Sequence, residues 1–275
     1  MSNPIRIGIA GLGTVGAGLI KIIQKNSNIL EARAGKPIKI IAVSALSKSK
    51  DRGVDLTAYE WEDDPIALAK RDDIDVFVEL IGGESGQAKK ATEEAIKHGK
   101  HVVTANKAML AIHGQELASA AENSGVNLRF EAAVAGGIPV IKTLTESLAG
   151  NNITRIMGVM NGTCNYILTR MEDTGLAYEE IFEEANQLGF LEADPNLDVG
   201  GIDAAHKLVL LSSIAYGTQV DFNGAILEGI GRITIEDIKA ASEMGYRIKL
   251  LGVSSLSDSG LSQTMRPCLV PLTSP

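Results

Sequence analysis

Apolar residues in the first half of the chain follow two alternating spacings. Short runs rich in β-branched residues predict buried strands, beginning with Ile5–Ala10, and apolar positions three and four apart predict helices, as at Leu19, Ile20 and Ile23. Strands that alternate with helices are typical of a doubly wound parallel sheet. The predicted strands are 5–10, 38–43, 75–81, 101–104 and 126–131, and the predicted helices after the first one are 65–70, 88–98 and 114–123.

The alternation ends near residue 136. Beyond it we predict helices at 138–148, 178–188, 202–216 and 235–241, and strands at 153–160, at 247–253 and from 269 onward. Residues 202–216 are apolar almost all round, which indicates a buried helix. The pattern therefore predicts an α/β first domain at residues 1–136 and an α+β second domain at 137–275.

Composition and charge narrow the class of protein. The 275 residues are 45% apolar and 22% charged, as in ordinary globular proteins. A net charge of −8 lacks the basic footprint of a nucleic-acid-binding protein. The apolar stretch 208–220 is shorter than the roughly 20 residues that span a bilayer. The cysteines, Cys164 and Cys268, have no disulfide or metal spacing, so we expect a reduced, cytoplasmic protein. Composition and charge together predict a protein that acts on small molecules or on other proteins, without nucleic-acid or membrane partners.

A glycine pattern joins the first strand to the first helix. Gly11, Gly13 and Gly16 form G-x-G-x-x-G between them. The first glycine permits a tight turn, the second lets a pyrophosphate approach the backbone, and the third lets helix and strand pack closely. We predict a Rossmann-type dinucleotide-binding domain in which these glycines, with Thr14 and Val15, bind the cofactor at the helix N-terminus. The alternative is a glycine-rich turn that serves packing alone.

The end of the second strand bears on cofactor choice. An NAD site usually has Asp or Glu there for the ribose 2′-hydroxyl. This strand ends in 44–47, Ser-Ala-Leu-Ser, and Lys48, Lys50 and Arg52 follow. Cations and hydroxyls suit a 2′-phosphate, so NADP is favoured over NAD. The alternative is that these cations are solvated loop residues.

Five further residues are candidates for chemistry. Thr104 and Lys107 come at the carboxyl end of a predicted strand, where ligands of parallel sheets bind. Asp203 and Lys207 are four residues apart and share a helix face, close to the helix start and next to an apolar run. A lysine there can exchange a proton with an alcohol oxygen, with Asp203 orienting it. Glu192 could receive a substrate ammonium group. The alternatives are an ordinary strand-end lysine and a helical ion pair.

Other site types are excluded by their spacing. The loop from Asp194 departs from the calcium pattern at Pro195, Gly200 and Ala205. The chain contains no zinc-type histidine spacing, no G-x-x-x-x-G-K-[S/T] loop and no G-x-S-x-G elbow. We expect Cys164 to be a small buried residue rather than a nucleophile.

These motifs together resemble the homoserine dehydrogenase family. Five of them occur in the family's order and extend over nearly the whole chain: 11–16, 99–107, 131–139, 161–166 and 188–207. The resemblance implies reversible NAD(P)-dependent reduction of L-aspartate 4-semialdehyde to L-homoserine, on the route to threonine, methionine and isoleucine. The α+β domain would then bind the substrate and form the dimer interface.

The resemblance also assigns roles to residues. By position, Lys207 is the acid/base at the carbonyl oxygen, Glu192 and Asp203 hold the amino acid, Lys107 lies near cofactor and substrate, and Gly189 contacts the cofactor. A monovalent cation, Na⁺ or K⁺, is implied at matching positions, largely through main-chain oxygens. Those positions are Glu131, Val134, Gly136 and Ile138.

Family members normally continue past residues 265–271 of this chain with more strands and a returning helix. We therefore expect the second domain to be incomplete. Two alternatives follow: another amino-acid dehydrogenase on the same two-domain plan, such as one acting on aspartate, or a nucleotide-binding fragment without catalysis.

Overall fold

The computed structural model describes residues 3–191 and 194–274. The chain forms two compact units that divide between Pro139 and Val140, a few residues after the division expected from the sequence. Within the described residues, no helix is both long enough and apolar enough to cross a bilayer.

The first unit is a six-stranded parallel sheet flanked by helices. The strands are β1 (Ile5–Ala10), β2 (Ile38–Ser44), β3 (Glu60–Glu62), β4 (Val76–Glu79), β5 (His101–Thr104) and β6 (Leu128–Arg129). The helices are α1 (Thr14–Ala34), α2 (Pro65–Lys70), α3 (Gln87–Lys97), α4 (Lys107–Asn123) and α5 (Glu131–Val134). The strand order is β3-β2-β1-β4-β5-β6. Successive strands are added on one side of β1 up to β3 and on its other side from β4 onward, so the switch point lies between β1 and β4. Open α/β sheets bind their ligands at such a switch point.

Successive residues of β1 enter two different cores. Ile9 packs in a cluster with Ile20 and Val43, whereas the next residue, Ala10, packs with Phe77 on the other face of the sheet. Alternate side chains of a strand point to opposite faces, so the sheet is buried on both sides. Burial on both faces explains why its strands read as continuous apolar runs.

In the first unit, α4 is longer than predicted, strands β4 and β6 are shorter than predicted, and β3 was not predicted. Helix α4 begins at Lys107 rather than at Gly114, because the Asn106 side chain accepts a hydrogen bond from Met109 N at 3.1 Å and caps the helix. Strand β6 pairs only over two residues, whereas the apolar pattern predicted six. A polar cap therefore sets the start of α4, which apolar periodicity alone does not show.

The second unit packs helices on one face of a four-stranded sheet. Its helices are α6 (Val140–Lys142), which continues as a π-helical turn (Thr143–Ser147), α7 (Gly162–Thr174), α8 (Tyr178–Gln187), α9 (Pro195–Val199), α10 (Ile202–Tyr216) and α11 (Ile235–Glu243). Its strands are β7 (Arg155–Gly158), β8 (Ile226–Leu227), β9 (Tyr246–Ser257) and β10 (Gly260–Pro271), in the order β7-β9-β10-β8. Strands β9 and β10 form a long antiparallel hairpin.

The core of this unit joins Leu250 and Met265 from the sheet to Ile167 and Leu208 from the helices. Helix α10 has the predicted bounds. Strand β10 begins at Gly260, well before the predicted start at 269, because the buried Gln263 interrupts its apolar alternation. The predicted helix 138–148 is divided between α6 and the π-helical turn, and α7 was not predicted.

Candidate functional site

The three glycines of the G-x-G-x-x-G turn differ in what a side chain at each position would contact. A Cβ on Gly11, whose φ is +97°, would lie 2.2 Å from Leu80 O, and one on Gly16 would lie 2.1 Å from Gly11 O. A Cβ on Gly13 would have no atom within 4 Å. Gly11 and Gly16 thus let β1, β4 and α1 approach closely, while Gly13 leaves the backbone open to a ligand. The surroundings of Gly11 and Gly16 match the turn and packing roles expected from the sequence, and the open space at Gly13 is compatible with the expected approach of a pyrophosphate.

The N-terminus of α1 faces this open backbone. Gly13 is its N-cap and supplies no side-chain hydrogen bond, and the first turn, with Thr14, Val15 and Gly16, contains no acidic residue. The 21-residue helix therefore presents amide donors and a partial positive charge at the turn. A cleft of about 490 Å³ opens beside it, lined in part by Gly11, Gly13 and Ile81. This geometry suits a pyrophosphate.

The β2 side of the cleft contains hydroxyl and cationic groups. Ser44, Ser47, Lys50 and Arg52 all line it. The Arg52 guanidinium donates to Leu12 O at 3.1 Å, to Lys50 O at 2.7 Å and to Ser47 O. Arg52 therefore ties its own loop to the glycine turn, a structural role that was not predicted from the sequence. These bonds use three of its five N–H groups.

A buried acid joins the carboxyl ends of strands β4 and β5. Glu79 ends β4 and is fully buried, and its carboxylate accepts a hydrogen bond of 2.5 Å from the hydroxyl of Thr104 at the end of β5. Lys107 begins α4 three residues later. Thr104 and Lys107 thus lie where the sequence placed them. Glu79 was missed, since a glutamate at the end of an apolar run gives no signal of burial.

The positions expected to hold a cation follow one another along the first unit. Glu131 begins α5, Val134 ends it, Gly136 adopts a left-handed turn with φ +59°, and Ile138 donates its N–H to Ala135 O at 3.1 Å. Carbonyl oxygens at the end of a helical turn carry partial negative charge, which is compatible with a monovalent cation. His, Cys, Asp and Glu form no cluster of three or more among the described residues.

In the second unit, Lys207 and Asp203 form the contact that their spacing predicts. Lys207 Nζ lies 2.7 Å from Asp203 Oδ2 and 3.0 Å from Met160 O. Asp203 is 8% exposed and Lys207 is 22% exposed, so the carboxylate is shielded while the ammonium reaches solvent. These partners use two of the three ammonium donors, which leaves one donor beyond the two bonds.

A second buried carboxylate in this unit was missed. Asp198 is 4% exposed, and its Oδ1 accepts a hydrogen bond of 3.1 Å from Asn161 Nδ2. The thiol of Cys164 donates to Asp198 O at 3.0 Å. Burial raises the pKa of this thiol to about 12, so Cys164 is a buried, protonated residue, as expected, and not a nucleophile.

The segment after α8 is anchored to α7. Gly189 has φ +74°. Beyond it, Phe190 O accepts a hydrogen bond of 2.9 Å from Thr163 Oγ1, and the Phe190 ring packs edge-on against Tyr166 with centroids 4.9 Å apart. Glu192 lies outside the described residues, so its predicted contact with substrate stays a prediction.

The reversal of strand order, the glycine turn and the cleft beside α1 define the first unit as a Rossmann-type dinucleotide-binding domain. Comparison with known proteins identifies it further. Residues 11–131 match the family model "Homoserine dehydrogenase, NAD binding domain", and residues 139–275 match "Homoserine dehydrogenase".

Individual relatives agree with these family models. A homoserine dehydrogenase of Neisseria gonorrhoeae is 46% identical over 98% of this chain and 61% of its own length. The crystal structure of a homoserine dehydrogenase from Thiobacillus denitrificans is 43% identical, with a TM-score of 0.94 over 99% of this chain and 63% of that one. A hyperthermophilic archaeal homoserine dehydrogenase, solved in complex with NADPH, is 26% identical, with a TM-score of 0.81 over 99% of this chain and 84% of that one.

The chain therefore belongs to the homoserine dehydrogenase family. It spans about 61% of the length of the Neisseria relative and 63% of the Thiobacillus structure.

Proposed function

We propose that the protein catalyses the reversible NAD(P)-dependent reduction of L-aspartate 4-semialdehyde to L-homoserine. The observation that carries the proposal is the Lys207–Asp203 pair, a shielded carboxylate bound to a partly exposed ammonium with one donor remaining for substrate. Membership of the family supplies the substrate. The glycine turn and its cleft supply the means of binding a nicotinamide dinucleotide.

In this proposal Lys207 moves the proton. During reduction its ammonium donates a proton to the carbonyl oxygen, and during oxidation its amine takes the hydroxyl proton back. The bound dinucleotide supplies or accepts the hydride. Asp203 Oδ2 and Met160 O hold the Lys207 nitrogen from two sides, at 2.7 and 3.0 Å, so that its remaining donor direction is fixed. General acid–base catalysis of this kind contributes about 10²–10⁴-fold to a rate.

The amino-acid part of the substrate needs complementary charges. We propose that Glu192 and Asp203 receive the ammonium group and that Lys107 meets the carboxylate or the nicotinamide region. Gly189 is proposed as a cofactor contact. The support is chemical: carboxylates attract the ammonium group, and the lysine carries the charge that a carboxylate requires.

For the cofactor we propose NADP in preference to NAD. Ser44, Ser47, Lys50 and Arg52 line the β2 side of the cleft, where a 2′-phosphate would lie. Asp63 also lines the cleft, but its Oδ1 accepts a 2.8 Å hydrogen bond from Trp61 Nε1. The archaeal relative in complex with NADPH agrees with this choice.

We also propose a monovalent cation and a homodimer. The helical turn ending near Gly136 supports the cation, with Glu131, Val134, Gly136 and Ile138 as its positions. The sheet face opposite the core of the second unit supports the dimer, since it carries Met157, which is 59% exposed. Sedimentation velocity would give twice the chain mass for a dimer. The free thiols of Cys164 and Cys268 fit a reduced, cytoplasmic setting.

The deciding experiment is the oxidation of L-homoserine, followed by NADPH or NADH formation, with Lys207→Ala beside wild type. We expect the variant to lose about 100-fold or more in kcat while it still binds NADP⁺. Lys239→Ala is the matched control, because Lys239 is an exposed helical lysine of the same unit. A Lys207→Ala enzyme that turns over like wild type would contradict the assigned role.

The same assay separates the alternatives. Turnover of aspartate without turnover of homoserine would indicate a different amino-acid dehydrogenase. Binding of NADP⁺ without turnover of any amino acid would indicate a nucleotide-binding fragment. A kcat/KM ratio that favours NAD⁺ would contradict the proposed cofactor preference.

A further inference from the structure

Glu79 is the fully buried acid at the cofactor domain's switch-point strands, and neither the glycine turn nor the proton chemistry accounts for it. Its Oε1 accepts hydrogen bonds from Ile81 N at 2.7 Å and from Gly82 N at 3.1 Å. Its Oε2 accepts the 2.5 Å bond from Thr104 Oγ1. Every one of these partners is a donor, so the carboxylate acts purely as an acceptor.

The bonds continue from Thr104 to the start of α4. Thr104 Oγ1 accepts a hydrogen bond of 2.9 Å from Asn106 N. The Asn106 side chain then donates to Gly83 O at 2.7 Å and caps α4 by accepting from Met109 N. Glu79 thus binds both the loop after β4 and Thr104 in β5, and Asn106 binds the same loop from the start of α4. These hydrogen bonds form a closed ring that holds the ends of β4 and β5 and the loop after β4 in one arrangement.

This network adjoins one half of the cleft through Leu80 and Ile81, which line it. The Ser44–Arg52 segment occupies the β2 side, where a Rossmann-type domain binds the adenosine half. The other half of the dinucleotide then belongs on the β4–β5 side. Leu80 and Ile81 line the cleft there, directly before the Gly82 amide that Glu79 holds.

We propose that Glu79 is a positioning residue for the nicotinamide half of the cofactor. This role of Glu79 rests on the proposed function in one respect, namely that the ligand is a nicotinamide dinucleotide. Through its two backbone bonds Glu79 fixes the loop after β4, and through Thr104 and Asn106 it fixes the first turn of α4 and with it Lys107. Loss of this bond set would let the nicotinamide ring turn away from its reactive orientation while the adenosine half stays bound.

The test compares whole and half cofactors. Glu79→Gln keeps the size of the side chain but presents an NH₂ group to the Thr104 hydroxyl, and Thr104→Val removes that hydroxyl. For both variants we expect about ten-fold weaker binding of NADP⁺ by calorimetry and loss of the shifted fluorescence of bound NADPH. Binding of 2′-phospho-ADP-ribose, which lacks nicotinamide, should change less than about two-fold.

Thr92→Val is the matched control, since Thr92 is equally buried in the same unit and its hydroxyl has no hydrogen-bond partner among the described residues. It should bind both ligands as wild type does. Thr104→Ser, which keeps the hydroxyl, should restore the NADPH fluorescence and serves as the folded variant of the series.

Two results would overturn the proposal. One is wild-type binding and fluorescence in both Glu79→Gln and Thr104→Val. The other is equal weakening of NADP⁺ and 2′-phospho-ADP-ribose, which would show a general loss of structure. Absence of homoserine turnover in wild type would defeat the proposed function, yet the ratio of the two affinities would still decide the role of Glu79.

Discussion

Two glycines on the first turns of α1 differ sharply in what surrounds them. A Cβ on Gly16 would lie 2.1 Å from Gly11 O, a main-chain atom that cannot move without displacing the glycine turn. A Cβ on Gly18 would meet no atom within 4 Å. The same substitution should therefore have opposite effects two residues apart.

Gly16→Ala should lower the free energy of unfolding by several kcal/mol, because the backbone contact must open, and it should abolish NADP⁺ binding. Gly18→Ala should raise the free energy of unfolding by about 0.5–1 kcal/mol, since alanine is the better helix former. Urea unfolding and calorimetric titration with NADP⁺ measure both effects. Equal stability of the two variants would contradict this account of the turn.

Contacts between residues close in sequence could be predicted in the candidate site, whereas contacts between distant residues could not. Asp203 and Lys207 are four residues apart, so the helix itself brings them together, and the sequence sufficed to predict their contact. Asp198 and Asn161 are 37 residues apart, and no local rule joins them. Glu79 is a similar case, since its partner Thr104 lies on a neighbouring strand 25 residues on.

At the scale of elements, one buried side chain joins α7 to the hairpin. Asn165 accepts a hydrogen bond from Leu250 N at 3.0 Å and donates one to Leu250 O at 3.1 Å, as a neighbouring strand would. Strand β7 pairs with β9 only from Gly252 onward, so β7 offers the backbone of Leu250 no partner on that side. The helix thus completes the sheet where no strand is available.

Asn165→Ala should destabilise the second unit by about 2–4 kcal/mol, because a buried N–H and a buried carbonyl would both lose their partner. Asn186→Ala, at an exposed position of α8, is the control and should stay within about 0.5 kcal/mol of wild type. Thermal unfolding followed by calorimetry gives both values. If the two variants melt together, the Asn165 bridge contributes nothing to stability.

Whole-molecule stability should depend on several carboxylates that cations and hydrogen-bond donors hold in their ionised form. The hydrogen bond from Arg6 lowers the pKa of Asp75, the hydrogen bond from Arg71 lowers the pKa of Asp73, and that from Arg170 lowers the pKa of Glu184. A lowered pKa in the folded state means that the unfolded chain binds protons first as the solution is acidified. The stabilisation is therefore present above the ordinary carboxyl pKa near 4 and is lost below it.

We expect the free energy of unfolding to fall as the pH decreases from about 5 to about 3. Arg6→Gln should make this fall shallower, since Asp75 loses the partner that lowers its pKa. Lys39→Gln is the control, because Lys39 is an exposed cation directly across from Arg6 in β2. Urea unfolding at several pH values tests the prediction. An identical pH dependence in the two variants would contradict the role of Arg6.

Features that depend on local spacing could be predicted from the amino-acid sequence. Strand–helix alternation indicated the parallel sheet, the glycine pattern indicated a close turn between β1 and α1, and helical periodicity paired Asp203 with Lys207. Side chains within one turn or one strand have fixed directions, so such features can be read along the chain. Five motifs in order also indicated the family.

Which polar groups are buried together depends on contacts that form only when distant segments of the chain pack. The pairing of β4 with β5 brings Glu79 to Thr104, and the packing of α7 on β9 brings Asn165 to Leu250. Tertiary packing also gave Arg52, which still lines the cleft, hydrogen bonds to the carbonyls of Leu12 and Lys50. A buried polar group must find a partner wherever the fold places one, and that partner can stand anywhere in the sequence.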